Sequence, residues 1–312
     1  VRPLRETGEP SAALNWPPLA RFVLAEARIA AFAERKGPAT LAVYEFVRFG
    51  VKQGWACLFG ALMLAMIIAT HLWYPAAAPL ARYDALVVGA VTIQIVLLAT
   101  RLERWDEAAA IVIFHVVGTG MEVFKTAVGS WTYPEPSLLR LGGVPLFTGF
   151  MYAAIGSYLA RVWRLFDFRF TRHPPLDWAA ILALAIYVNF FSHHFLPDIR
   201  LWLIGAAVVM FGWTQVYFRI WKRHRHMPLL LGFTLVALFI WFAENIGTGM
   251  NVWRYPSQRH HWSMVPLAKL EAWFLLMIVS YTLVAFVARP KGHGRRTPSL
   301  VDTPLAPERA RL

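Results

Sequence analysis

The sequence predicts an all-α bundle of about eight membrane-spanning helices, built as two four-helix repeats of the same orientation. Three observations predict it. Of 312 residues, 58% are hydrophobic and only 16% are charged, with 14 Trp and 22 Phe, too apolar a balance for an ordinary water-soluble domain. Apolar runs long enough to approach or cross a hydrocarbon core about 30 Å thick recur along the chain. Several short motifs are also written twice.

Taken in order, residues 1–17 are polar and contain prolines, so they read as a mobile cytoplasmic tail with no cleavable signal peptide. Residues 18–52 are expected to form a cytoplasmic interfacial region. There Phe22, Ala25, Ile29 and Phe32 recur at helical spacing among charged neighbours, the pattern of an amphipathic helix lying on a membrane or on the protein's own loops. The first repeat is expected over 53–164, with spans near 55–73, 84–100, 107–126 and 144–163. A cytoplasmic linker follows at 165–176, then the second repeat over 177–288, with spans near 177–195, 200–221, 228–246 and 266–288. Residues 289–312 are basic and Pro-rich, a second cytoplasmic tail.

The net charge of +13 could suggest nucleic acid, but its distribution gives a simpler cause. With eight spans and a cytoplasmic N-terminus, most of the 31 lysines and arginines fall on one side. Only Arg82, Lys125, Arg140, Arg200, Arg254, Arg259 and Lys269 fall on the other. This is the positive-inside pattern of a multipass inner-membrane protein with both termini in the cytoplasm. The bilayer is therefore the expected partner and nucleic acid is not, and the sequence specifies no oligomer. A single cysteine, Cys57, excludes an internal disulfide framework and any Cys-based zinc site.

The repeated motifs carry the internal symmetry. His71 and Pro75 match His193 and Pro197 at a separation of 122 residues, as Trp131, Tyr133 and Pro134 match Trp253, Tyr255 and Pro256. Val144-Pro145 matches Val265-Pro266 at 121, and Gly118-Thr-Gly-Met121 matches Gly247-Thr-Gly-Met250 at 129. Two halves with an even number of spans share one orientation and are related by an axis along the membrane normal. Aligned on Gly-Thr-Gly-Met, His115 takes the place of Glu244, and Glu122 that of Asn251. These four are then expected to face one another in an asymmetric polar centre.

Ionisable groups at membrane depth are costly and commonly face the bundle interior. His115, Thr119 and Glu122 are spaced i, i+4, i+7 and share a helical face, as do Glu244, Thr248 and Asn251. Glu122, Glu244 and His115 are the candidate catalytic acid/base groups. Asn251, Thr119, Thr248, Asn189 and His194 are candidate hydrogen-bonding partners for a substrate. The Gly-Thr-Gly stretches place small residues where helices can approach closely or where a helix end loosens. Trp131, Tyr133, Trp253 and Tyr255 read first as interfacial aromatics, and alternatively as the mouth of an apolar substrate cavity. His71, His193 and His194 are candidate metal ligands, although no HxxxH or HExxH spacing supports them. Glu271 at the start of the last span is a candidate third carboxylate. No cofactor is expected on this reading.

The blocks FGVKQGWACLFG, FHVVGTGMEVFKTAVGSWTYPE, GGVPLFTGFMYAAIGSYLARVWR, IYVNFFSHHFLPDIR and FIWFAENIGTGMNVWRYPSQRHHW resemble the YoaT-like bacterial membrane proteins, a domain of unknown function (817). The resemblance covers about residues 47–288 and implies a polytopic membrane fold without an assigned activity. A fainter likeness, carried by Glu122, Trp131–Tyr133, Glu244, Trp253–Tyr255 and Pro266 with Glu271, is to membrane lycopene cyclases and carotenoid hydratases. The adjacent glutamates that follow the proline in the cyclases are absent, since this chain reads Pro145-Leu-Phe-Thr and Pro266-Leu-Ala-Lys. The expected function is acid/base chemistry on a lipid-soluble, isoprenoid-like small molecule. The alternatives are a small-molecule or lipid transporter or binding protein, and a metal-dependent lipid hydrolase.

Overall fold

In the computed structural model, residues 17–288 and 291–292 are described, and they form two compact units. The expected tails at 1–17 and 289–312 lie almost wholly outside the described residues. The smaller unit comprises the described residues up to Trp55 together with Ile220–Arg223. Its helices α1 (Pro17–Lys36) and α2 (Pro38–Ala56) are separated by Gly37. That residue's φ of +115° is open to glycine alone at little cost. Ala30, Ala33 and Tyr44 are buried there, Tyr44 and Arg48 both bond the Glu26 carboxylate, and the Lys222 Nζ reaches Glu34 at 2.7 Å. Ile29 and Phe32, read from the sequence as an apolar face, remain exposed.

The larger unit holds α3 (Leu58–Trp73), α4 (Arg82–Ala99), α5 (Trp105–Ala127), α6 (Phe147–Phe166), α7 (Leu176–Ser192), α8 (Arg200–Phe211), α9 (Leu229–Gly249) and α10 (Leu267–Ala288). Each expected apolar run therefore contains a helix. By length and composition four helices suffice to cross a membrane, namely α4, α5, α9 and α10, or five if α2 and α3 together form one broken span. Helices α7 and α8 are apolar but shorter.

The fold is mostly helical rather than all-α. A hairpin pairs β1 (Arg140–Leu141) with β2 (Val144–Pro145). A four-stranded sheet joins β5 (His224–Pro228), β4 (Gln215–Arg219), β3 (Arg169–Thr171) and β6 (Lys291–Gly292), in that order. The sixth apolar run, expected to stay helical to residue 221, stops at Phe211. Val216, Tyr217 and Phe218 beyond it are β-branched or aromatic and pair with both neighbours as β4. The first Gly-Thr-Gly stretch lies inside α5, which continues to Ala127, whereas the second closes α9, which ends at Gly249. They serve packing: a Cβ on Gly118 would lie 2.5 Å from the Tyr152 Cβ, so this glycine lets α5 and α6 approach closely.

At one end of the bundle, Arg161 is fully buried on α6. It faces Glu103 at 3.2 Å and Glu107 at 3.7 Å, while Arg164 meets Glu107 at 2.9 Å. At the opposite end, Arg82-Tyr83-Asp84 opens α4 and ties down the connecting loops. The Arg82 guanidinium holds Glu135 at 2.9 Å and donates to the Met250 carbonyl at 3.2 Å. The Tyr83 hydroxyl donates to the Val252 carbonyl at 2.8 Å. Asp84, 1% exposed, accepts the backbone N–H groups of Leu138 and Leu139, both at 2.8 Å. Removing the acceptor loses two partly buried hydrogen bonds, each worth about 0.5–1.5 kcal/mol. Asp84→Ala is therefore expected to lower the unfolding temperature in detergent by several degrees. It should also speed amide exchange at Leu138 and Leu139, measured by hydrogen–deuterium exchange.

Candidate functional site

Residues 131–133 and 253–255 run extended where the two connecting loops cross. Thr132 and Arg254 exchange two backbone hydrogen bonds, at 3.0 and 2.9 Å, as an isolated antiparallel bridge. In extended backbone, residues i−1 and i+1 point to the same side. The Trp-x-Tyr spacing thus sends Trp131 and Tyr133 together beneath the loop, and both find Glu122. The Trp131 Nε1 donates to the Glu122 Oε2 at 2.7 Å, and the Tyr133 hydroxyl donates to the same oxygen. Tyr152 on α6 donates to the Glu122 Oε1 at 2.8 Å.

Glu244 on α9 is built alike. The Tyr255 hydroxyl donates to its Oε1 and the Trp273 Nε1 to its Oε2 at 3.0 Å. Each glutamate takes a tyrosine 11 residues downstream, and a further donor 30 residues on at Tyr152 or 29 residues on at Trp273. The two sets touch: the Trp131 and Tyr255 rings lie 5.9 Å apart edge to face, and those of Tyr152 and Trp273 lie 6.0 Å apart. Lys269 lies over this junction, its Nζ 4.8 Å from the Trp131 ring centre and 4.4 Å from that of Tyr255.

Both carboxyl groups are buried, and this donor set decides what they can do. An indole N–H only donates, whereas a phenol can donate or accept. Trp131 and Trp273 therefore hold Oε2 of each glutamate as an acceptor. Oε1, facing Tyr152 in one case and Tyr255 in the other, has no obligate donor and is where each acid can carry a proton. Burial first, then the Glu122 charge, pushes the Tyr133 phenol well above its ordinary value. Burial and then Glu244 do the same to Tyr255. The phenols keep their protons, and the one facing Oε1 can accept when that oxygen is protonated.

Beside the pair runs a crevice between α5, α6, α7 and α10, lined by Val117, Met121, Tyr152, Tyr187, Trp273 and Leu283 among others. Val117 and Leu283 are exposed, so the crevice opens on the side of the bundle. Tyr152 and Trp273 form part of its wall with one edge and bond the glutamates with the other. The crevice is narrow, about 40 Å³, so an apolar chain would lie along its mouth, one side chain away from each acid.

The other sequence candidates lie elsewhere. His115 packs on the Phe150 ring at 4.3 Å, and its Nδ1 would meet a Cβ on Gly149 at 2.5 Å. Neither that nitrogen nor the Thr119 Oγ1 has a hydrogen-bond partner among the described residues. Asn251 takes the left-handed conformation at the end of α9, φ +56°, and accepts from the Arg254 Nε at 2.5 Å. The expected confrontation of His115 and Glu122 with Glu244 and Asn251 is thus replaced by Glu122 with Glu244. These two glutamates stand 122 residues apart, the same separation as Trp131 and Trp253. The Gly-Thr-Gly-Met echo is shifted from that register by seven residues, about two helical turns.

Thr248 accepts from the Trp262 Nε1 at 3.2 Å. Trp253 is buried with its ring tip against Gly247. Asn189 holds Asp198 at 3.1 Å and the Ile199 N–H at 3.2 Å. The His193 Nδ1 bonds the Asn189 carbonyl at 2.9 Å, His194 faces Lys125 at 2.8 Å, and His71 lies 3.4 Å from Arg82. Among the described residues no three histidine, cysteine or carboxylate side chains converge as a metal site. Glu271 turns to Arg200 at 3.6 Å. Tyr152, Trp273 and Lys269 were not singled out as site residues by sequence. The signal for the first two was present: Tyr152 and Trp273 stand 121 residues apart, like Val144 and Val265.

A family described as "Protein of unknown function (DUF817)" matches residues 45–281. The chain belongs to this family. It is 41% identical over 250 residues to the uncharacterized protein YoaT of Bacillus subtilis (strain 168), covering 80% of this chain and 94% of that protein. Among solved structures, a cross-linked MvINS trimer aligns at 14% identity, covering 60% of this chain and 98% of that one. Its TM-score of 0.41 is too low to bear on the fold.

The close α5–α6 contact supplies a test of the Glu122 site. Gly118→Val would drive a side chain into Tyr152 and is expected to destabilise by about 1–3 kcal/mol. Gly120, whose Cβ would meet nothing within 4 Å, should tolerate alanine within about 0.5 kcal/mol or gain from its helix propensity. Thermal unfolding of the two variants side by side checks the contrast.

Proposed function

We propose that this DUF817 protein is an integral membrane enzyme that carries out acid/base chemistry on a lipid-soluble, isoprenoid-like substrate, with Glu122 and Glu244 as proton donor and acceptor. The observation that carries the reading is the convergence of both glutamates, through Tyr152 and Trp273, on one apolar crevice that opens sideways. A substrate dissolved in the bilayer reaches such an opening without crossing water. Two acids held by neutral aromatic donors, three on Glu122 and two on Glu244, with Lys269 near both, are suited to hold one proton and pass it on.

We further infer that all eight helices α3–α10 cross the inner membrane as two duplicated four-helix halves, with both termini cytoplasmic. The constant spacing of the glutamates and their donors supports the duplication. So does the bridge between Thr132 and Arg254, themselves 122 residues apart, because a reciprocal antiparallel pair is locally two-fold symmetric. Equivalent residues meet themselves in this way only on the axis that relates the halves.

Mass spectrometry of lipid extracts tests the enzyme reading. At least one lipid species should differ between a deletion strain and cells with the wild-type protein. Glu122→Gln and Glu244→Gln should each lose at least about 100-fold of that conversion, the range for a general acid or base. Identical lipid profiles in the deletion, wild-type and variant strains would refute it.

A further inference from the structure

The crevice does not end in apolar side chains. On α5, Val117 and Met121 line it, and Lys125 follows at the next i+4 position. On α10, Trp273, Leu276 and Leu283 line it, and Lys269 precedes Trp273 by the same step. Beyond Tyr187 of α7 comes His194, just past the helix end. Three separate elements thus bring a cationic or titratable nitrogen to the same end of one apolar wall.

Lys125 is the most demanding of them. It is 3% exposed. Its Nζ lies 2.8 Å from the His194 Nε2 and 4.0 Å from the Phe190 ring centre. Among the described residues no carboxylate comes within 4.0 Å of it, and of the charges within range Lys269 and Arg200 oppose its own while only Asp198 favours it. The nearby acids are engaged elsewhere: Asp198 and Glu271 face Arg200 at 3.0 and 3.6 Å, and Glu122 and Glu244 are held by their aromatic donors. Burying an ammonium without a close counter-charge costs several kcal/mol, so the site favours either a neutral amine or an anion beside it. What the arrangement lacks is an anion. His194 is exposed and leaves a way in, and the Ser130 hydroxyl, 3.5 Å from the same imidazole nitrogen, adds a neutral donor.

We propose that Lys125, with His194 and Ser130, binds the anionic headgroup of an amphiphile, a phosphate or similar oxyanion, whose hydrocarbon chain lies along the crevice. On α10 the crevice lining runs from Trp273 to Leu283, a rise of about 15 Å along the helix. That is the length scale of a lipid chain and exceeds that of a small metabolite. The proposal deepens the enzyme reading and rests on it for the crevice being a substrate site. It names the substrate as charged at one end and places its chain against Tyr152 and Trp273.

Binding to the purified full-length protein in a neutral maltoside detergent tests this, followed by native mass spectrometry with dodecyl phosphate, dodecanol and inorganic phosphate as probes. Wild type is expected to take up one dodecyl phosphate, to bind dodecanol at least about tenfold more weakly, and to retain its lipid adduct in excess inorganic phosphate. Lys125→Met should weaken dodecyl phosphate binding at least about tenfold, and His194→Gln about threefold, as expected for lost charge-assisted contacts. Equal affinity for dodecanol, or unchanged affinity in both variants, overturns the headgroup site. Displacement by inorganic phosphate at comparable concentration would make it a free-anion site and overturn the amphiphile. Should Lys125→Met fail to fold, the exposed His194 and the dodecanol comparison decide alone. No turnover is measured, so this result can fail while the lipid-extract experiment succeeds, and the reverse.

Discussion

A carboxyl group placed among apolar helices must be hydrogen-bonded from within the chain, because no water is there to do it. Much of the larger unit follows from meeting that demand twice. Glu122 needs Trp131 and Tyr133, and two neighbouring donors on one side require an extended loop. The loop needs holding, which Arg82, Tyr83 and Asp84 provide from the start of α4. Tyr152 can reach the other oxygen only because Gly118 lets α6 close on α5. Each of these residues has a plain local task, and together they hold one acid in place.

The two ends of the bundle treat buried charge in different ways. Around Arg161, opposite charges are paired and the cluster is neutral by itself, a structural arrangement that costs about 3–5 kcal/mol to break from one side. Around Glu122 and Glu244 the partners are neutral phenols and indoles, which stabilise a carboxylate without pinning its charge. A proton can come or go there while every aromatic ring stays in place. On the enzyme reading proposed above, chemistry belongs at the second kind of site.

Hydropathy made the eight helical runs legible, and the rarity of acids within them singled out Glu122 and Glu244. What hid the rest was the choice of letters on which to align the halves. Gly-Thr-Gly-Met is the more conspicuous echo, yet it reports helix packing, which can shift by two turns and still present small residues to a neighbour. The plainer spacing from Glu122 to Glu244 agrees with the tryptophans, and its register led to Tyr152 and Trp273. From sequence Trp131 and Tyr255 read as interfacial aromatics or as the mouth of a cavity, because sequence gives a ring's identity but not the direction of its N–H or O–H. Helical periodicity placed His115 and Glu122 on one face. It could not say that two turns along that face separate a packing contact from a hydrogen-bonded centre. The small sheet escaped notice because Val216 to Phe218 continue an apolar run, and only pairing across sequence distinguishes a strand from the end of a helix.

The bridge between Thr132 and Arg254 sits between two pairs of rings, Trp131 with Tyr133 and Trp253 with Tyr255. Three of those four rings touch a glutamate's oxygen or the neighbouring donor set. The two acids therefore hang from a single crosspiece. A tilt of that crosspiece moves Tyr133 against one carboxyl group and Tyr255 against the other in the same movement, while Tyr152 and Trp273 keep their own hold from the helices. Mechanically, the molecule owns one clamp with two jaws.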